Sequence, residues 1–154
     1  MRLEMPQQIA SKLSRWRVLR FGNEHAMVEL DANHQTTVLP PGDYQISTAG
    51  VGNEYNYLVW PQKIEVQFGK DISVKLDCGI RLTGPGSDRG YRFLLKDDTG
   101  RNLEEWGSEM LQLVPPGKYS VEGYSKSSAD WKTIQNNVVV KPGSVTEITV
   151  PILQ

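Results

Sequence analysis

One phrase appears twice in the chain and constrains everything else. VLPPGDYQI (residues 38–46) and LVPPGKYSV (residues 113–121) each set two prolines and a glycine ahead of an alternating, tyrosine-bearing run. Proline fixes its own φ and cannot donate to a sheet ladder, so Pro40, Pro41, Pro115 and Pro116 belong between strands or at an edge. Each phrase therefore predicts a rigid turn feeding a β-strand. The likeness continues downstream, where residues 64–80 (IEVQFGKDISVKLDCGI) and 138–152 (VVVKPGSVTEITVPI) share an alternating run, a glycine turn and a second alternating run. Pro115 and Tyr119 follow Pro40 and Tyr44 by 75 positions, and Gly143 follows Gly69 by 74. A period of that kind implies duplication of one folding unit.

Strand and turn signals fill in the first unit. Residues 16–21 and 26–30 alternate around a Gly22-Asn23 turn, and residues 44–48 leave the proline corner. Ile64, Val66 and Phe68 alternate up to Gly69, and Ile72, Val74, Leu76 and Cys78 alternate after it, which predicts a hairpin with one buried face. The second unit repeats the plan from Tyr91, with residues 102–106 as its second strand. The expected fold is all-β: two tandem small antiparallel Greek-key β-sandwiches. The expected boundaries are a leader or short helix over 1–15, a first sandwich over 16–82, a linker over 83–90 and a second sandwich over 91–154. The helix is suggested by Ile9, Leu13 and Trp16 at helical spacing behind Pro6, and the linker by the Gly84-Pro85-Gly86 run.

Composition narrows the function classes. With 38% hydrophobic and 23% charged residues the chain has enough apolar material for a packed core. A formal net charge of −1 provides no global field to draw it to nucleic acid or an anionic membrane. No apolar run reaches the roughly 18 residues of a membrane span, and no signal peptide is evident at the N-terminus. Cys78 excludes an intrachain disulfide by being alone, and its place in an alternating run predicts a buried core residue.

The corner residues 114–121, Trp131 and the final run 138–150 resemble the prealbumin-like sandwiches of bacterial surface and periplasmic proteins. These include carboxypeptidase regulatory-like and PEGA-type modules, some of them appended to von Willebrand factor A domains. The first unit carries the same frame with Phe68 where the second has Pro142. The resemblance implies a non-catalytic accessory module, periplasmic or extracellular, working beside other domains of a parent chain.

Chemistry-bearing patterns are few. His25 and His34 lack zinc-ligand spacing, no serine stands in a nucleophile elbow, and the pairs Asp97-Asp98 and Glu104-Glu105 are adjacent, so on strands their members diverge. No catalytic residue, metal ligand or cofactor is expected. The five basic residues between 2 and 20 read as a solvated surface. The one sharper signal is aromatic: Tyr55, Tyr57 and Trp60 in the first unit, and Tyr124 and Trp131 in the second, lie between the tyrosine strand and the final runs. Exposed rings there would stack on a sugar or anchor a protein, whereas buried ones would cap a core. The expected function is binding, adhesion or spacing with a protein or glycan partner, the alternative being a carbohydrate-binding module on those rings.

Overall fold

The computed structural model describes residues 1–23, 25–51, 56–107, 110–127 and 129–154. Their regular secondary structure is almost wholly β-strand, and they divide into two compact units, Met1–Asp77 and Cys78–Gln154.

The first unit runs β1 (Arg2–Glu4), α1 (Gln7–Ala10), β2 (Leu13–Arg20), β3 (Ala26–Asp31), β4 (Gly42–Gly50), β5 (Leu58–Val59), β6 (Ile64–Val66) and β7 (Ser73–Lys75). One antiparallel sheet has the order β3-β2-β4-β5, and β6 also pairs with β4. The second sheet pairs β1 with β7 in parallel, Leu3 opposite Val74. Alternation explains the burial: Trp16 and Val18 of β2 are fully buried while Arg15 is exposed, and Tyr44 and Ile46 of β4 join them in the core. The indole Nε1 of Trp16 donates to the His34 carbonyl at 2.8 Å, so this buried donor is satisfied.

Two expectations for this unit need correction. Residues 1–15, expected as a leader or short helix, hold a short helix and are tied into the unit: besides the β1–β7 pairing, the Met1 amino group donates to the Thr37 carbonyl at 2.8 Å, and Ile9 of the helix is fully buried. The helix itself stops at Ala10, because Leu13 and Trp16 belong to β2, which both β3 and β4 hold in register. The runs around Gly69 are not a hairpin either. β6 joins β4 in one sheet and β7 joins β1 in the other, so the chain crosses between sheets at this turn. Phe68, expected on the buried face, lies in that crossing and is 91% exposed.

The second unit runs β8 (Gly79–Thr83), β9 (Arg92–Asp97), β10 (Asn102–Trp106), β11 (Leu111–Leu113), β12 (Gly117–Tyr124), β13 (Trp131–Val140) and β14 (Val145–Thr149). Its antiparallel sheet has the order β10-β9-β12-β13, and its second sheet the order β11-β8-β14. β8 is parallel to β14, as β1 is to β7. β8 thus opens this unit and does not end the first, placing the division at Asp77/Cys78 rather than over 83–90. Gly84 and Gly86 of the expected linker are packed: the Gly86 amide donates to the Val150 carbonyl at 2.9 Å, and a Cβ on Gly86 would stand 2.0 Å from the Pro151 oxygen. The run is a tight turn in which only glycine fits at positions 84 and 86. Cys78 is fully buried, its thiol donating to the Val114 carbonyl at 3.3 Å.

The repeated phrase has a specific geometry. Tyr44 donates its hydroxyl to the Pro40 carbonyl at 2.7 Å, and Tyr119 donates to the Pro115 carbonyl at 2.7 Å. In both cases the ring folds back over the chain four residues upstream, the arrangement known as a tyrosine corner. The ring passes so near its glycine that a Cβ on Gly117 would lie 3.1 Å from the Tyr119 hydroxyl oxygen. Burial pushes the Tyr119 hydroxyl up to about 12, with electrostatic repulsion from Cys78 and Asp97 adding to the effect. A raised acid favours the neutral folded form, so its contribution is present below the ordinary value of 10 and is lost as pH rises towards about 12. Tyr119→Phe and Tyr44→Phe should each cost about 1 kcal/mol at neutral pH. Tyr119→Phe should also flatten the alkaline loss, as urea melts at a series of pH values would read.

Candidate functional site

The outward-facing side chains of the two antiparallel sheets form the candidate site. In the first unit, β2 turns Arg15 and Arg17 away from the core, and the β2–β3 register puts Arg17 opposite Glu29. Arg17 Nε donates to Glu29 Oε2 at 3.0 Å, Arg15 Nη1 donates to Oε1 at 3.2 Å, and the Tyr57 hydroxyl donates to Oε1 at 3.2 Å. The Arg17 guanidinium stands 3.6 Å from the centre of the Tyr57 ring, within cation–π range. Desolvation pushes the Glu29 carboxyl up, but the Arg17 and Tyr57 hydrogen bonds, the Arg17 charge and the Arg15 bond outweigh it and hold the group below its ordinary value. Desolvation raises Tyr57; the nearby Arg17 charge opposes that shift, and the bond to Glu29 adds to it. Beside this cluster lies an open cleft of about 430 Å³, lined by Arg17, Leu19, Gln45, Ser47, Tyr57 and Val59 among others.

The second unit assembles the same residue types. Register places Arg92 opposite Tyr124 and Tyr124 opposite Trp131 across β9, β12 and β13. The two rings are 5.5 Å apart and tilted by 46°, and the Arg92 guanidinium is 5.6 Å from each. Arg92 Nε donates to Glu105 Oε1 at 2.6 Å. Further along the same face Lys96 pairs with Glu122 at 2.8 Å. Each unit thus presents an arginine on the second strand from one sheet edge, a glutamate on the edge strand beside it, and aromatic rings against the guanidinium.

Three of the five expected aromatic residues, Tyr57, Tyr124 and Trp131, stand in these clusters, half-buried. Trp60 does not: it is 4% exposed and its Nε1 donates to Thr48 Oγ1 at 2.9 Å, so it fills the core. Tyr55 lies outside the described residues. Glu29 and Arg92 were not singled out from the sequence, in which Arg17 reads only as part of a solvated basic surface and Glu105 only as half of a diverging acidic pair. Their signal was available in the opposite charges placed symmetrically about the β2–β3 and β9–β10 turns, which meet once strand register is known.

His34 and Asp97 are locally engaged. His34 Nδ1 lies 2.9 Å from Asp31 Oδ1 at the surface. Asp97 accepts from the Thr99 hydroxyl at 2.6 Å and from the Thr99 and Arg101 amides at 3.0 Å, bonds that hold its carboxyl below the ordinary range and make the acidic run a turn. Glu104 and Glu105 diverge, the first 3% exposed and the second bonded to Arg92. Among the described residues no three His, Cys, Asp or Glu side chains gather as a metal ion would need, and no helix is long and apolar enough to cross a membrane.

The fold and these faces define an all-β protein with arginine–aromatic clusters on its sheets. No protein-family profile and no curated protein matches the chain. Among solved structures it is similar to the Bacillus anthracis TIE protein, at 12% identity and a TM-score of 0.35. That match covers 95% of this chain, which spans about a third (32%) of the TIE chain's length.

Proposed function

We propose that the chain is a non-catalytic binding and spacing module of a larger bacterial extracytoplasmic protein, formed by two tandem prealbumin-like sandwiches. The observation that carries this reading is the recurrence of one cluster, arginine on aromatic ring beside glutamate, on the outer sheet face of both units. Arginine, tyrosine and tryptophan are the residues that concentrate binding energy at protein interfaces. The shared strand plan, with each unit opening on a strand parallel to its own last strand, supports duplication.

A protein partner fits these faces better than a sugar. Sugar stacking needs an open ring face, yet Arg17 lies over Tyr57, and Tyr124 and Trp131 tilt against each other. Photo-crosslinking tests the reading in cells that make the parent protein. A benzoylphenylalanine in place of Tyr124 should yield one discrete protein adduct, lost on Arg92→Ala, while the same probe at exposed Gln67 should yield none. Equal labelling from both positions, or turnover of ester, amide or glycoside substrates by the purified chain, would count against it.

A further inference from the structure

The cleft beside Tyr57 in the first unit holds hydrogen-bonding capacity that the described chain does not use. Register sets Arg17 of β2 opposite Ser47 of β4, and Ser47 opposite Val59 of β5, so the three form one row across the outer face of the sheet. Ser47 is small, and the row sinks between its larger neighbours into the opening of about 430 Å³, with Leu19 opposite Gln45 as the next row. Ser47 is only 2% exposed, and among the described residues its hydroxyl has no hydrogen-bond partner. A buried hydroxyl in that state is costly unless a group from outside completes it. Arg17 has capacity to spare as well. Its Nε is spent on Glu29 and its face on Tyr57, while neither Nη group has an acceptor among the described residues.

The second unit shows what side chain this position takes. Three residues beyond the corner tyrosine stands Ser47 in the first unit and Glu122 in the second. The Glu122 carboxylate accepts from Lys96 Nζ at 2.8 Å on the outer face of β12. Where the second unit has its own carboxylate beside a cation, the first has a serine, a cleft and a cation with unspent donors. We propose that the cleft seats a glutamate side chain of a partner protein, its carboxylate on the Arg17 Nη groups and the Ser47 hydroxyl and its stem against Val59. The planar guanidinium matches a carboxylate with paired donors. Val59 is 51% exposed and offers the stem an apolar surface. A single negative charge suits the site better than a phosphate, because Glu29 already lies on Arg17 and would repel a second charge. The inference rests on the protein-binding reading above and names the partner's chemistry at one of the two faces.

Heteronuclear NMR titration of the full chain into the millimolar range tests it, with acetyl-Val-Thr-Glu-Thr-Val-amide and the same peptide carrying glutamine at its centre. The expected shifts fall on Arg17, Gln45, Ser47, Tyr57 and Val59, and the glutamine peptide binds at least about tenfold more weakly. Ser47→Ala keeps the space and removes the hydroxyl. It should weaken the glutamate peptide about tenfold without lowering the melting temperature, since the hydroxyl it removes has no partner in the described chain. Ser47→Glu copies the second unit's carboxylate into the cleft and should abolish binding, whereas Lys75→Gln, exposed on β7, should leave it unchanged. Equal binding of the two peptides, binding indifferent to both Ser47 substitutions, or sodium acetate binding as tightly as the peptide would each overturn the proposal. Its failure is separable from that of the protein-binding reading. No peptide response beside an intact Tyr124 adduct overturns the cleft alone, and a peptide response of the expected pattern without that adduct overturns the reading of the second face and supports the cleft.

Discussion

Gly79→Ala is expected to lower the stability of the second unit by about 3 kcal/mol, which for a unit of this size is a fall in melting temperature of the order of 10 °C or more. Gly79 opens β8 opposite Leu113 of β11. A Cβ at this position would stand 2.2 Å from the Gln112 carbonyl oxygen and 3.2 Å from its carbon. Both obstacles are main chain, so no side chain can swing aside. The clash can be relieved only by driving β11 away from β8, and β8 is the central strand of its sheet. Hydrogen exchange should show lost protection in β8, β11 and β14 and unchanged protection over residues 13–50. A variant with wild-type melting and wild-type exchange would mean that the two strands do not approach this closely.

The same glycine shows where the sequence was readable and where it was not. The corners were legible as turns feeding strands because proline, glycine and tyrosine at fixed spacing have few conformations open to them; the bonds of Tyr44 and Tyr119 to the fourth residue back emerge only in the fold. Burial along single strands was legible too: Trp16 and Val18, Ile64 and Val66, Val74 and Leu76 are buried. Pairing was not. Alternation reports that one face is covered and is silent on which strand lies alongside, so the runs about Gly69 read equally as a hairpin or as a crossing between sheets. The boundary was hidden for a related reason. Val74, Leu76, Cys78, Ile80 and Leu82 are all buried in unbroken alternation, and they straddle the division at Asp77/Cys78 without a change of phase. The outer-face clusters depended on register, which brings Arg17 opposite Glu29 and Arg92 opposite Tyr124. The rings stood out by type, but their charged partners are ordinary surface residues until the strands are laid side by side.

Leu3→Ala should cost about 2 to 4 kcal/mol, although residue 3 lies in a segment whose sequence reads as a leader or short helix. Arg-Leu-Glu is too short to carry a period, and its partner strand β7 lies some 70 residues away, so local pattern has nothing to reveal. In the fold Leu3 is 2% exposed, its amide donates to the Gln35 carbonyl at 2.9 Å, and it stands opposite Val74, itself 2% exposed. Truncation to alanine removes buried methyl groups from between two strands whose main chains are already tied, so the site cannot collapse fully and a cavity term adds to the lost transfer energy. The neighbouring Glu4 side chain is exposed, and Glu4→Ala should change stability by no more than about 0.5 kcal/mol. Thermal melts of the two variants side by side separate the alternatives: a poorly ordered leader would make them indistinguishable, whereas a β1 integrated with β7 makes Leu3→Ala alone costly. Hydrogen exchange locates the loss, which should fall on β1, β7 and residues 35–37, the positions that β1 and Met1 hold in place.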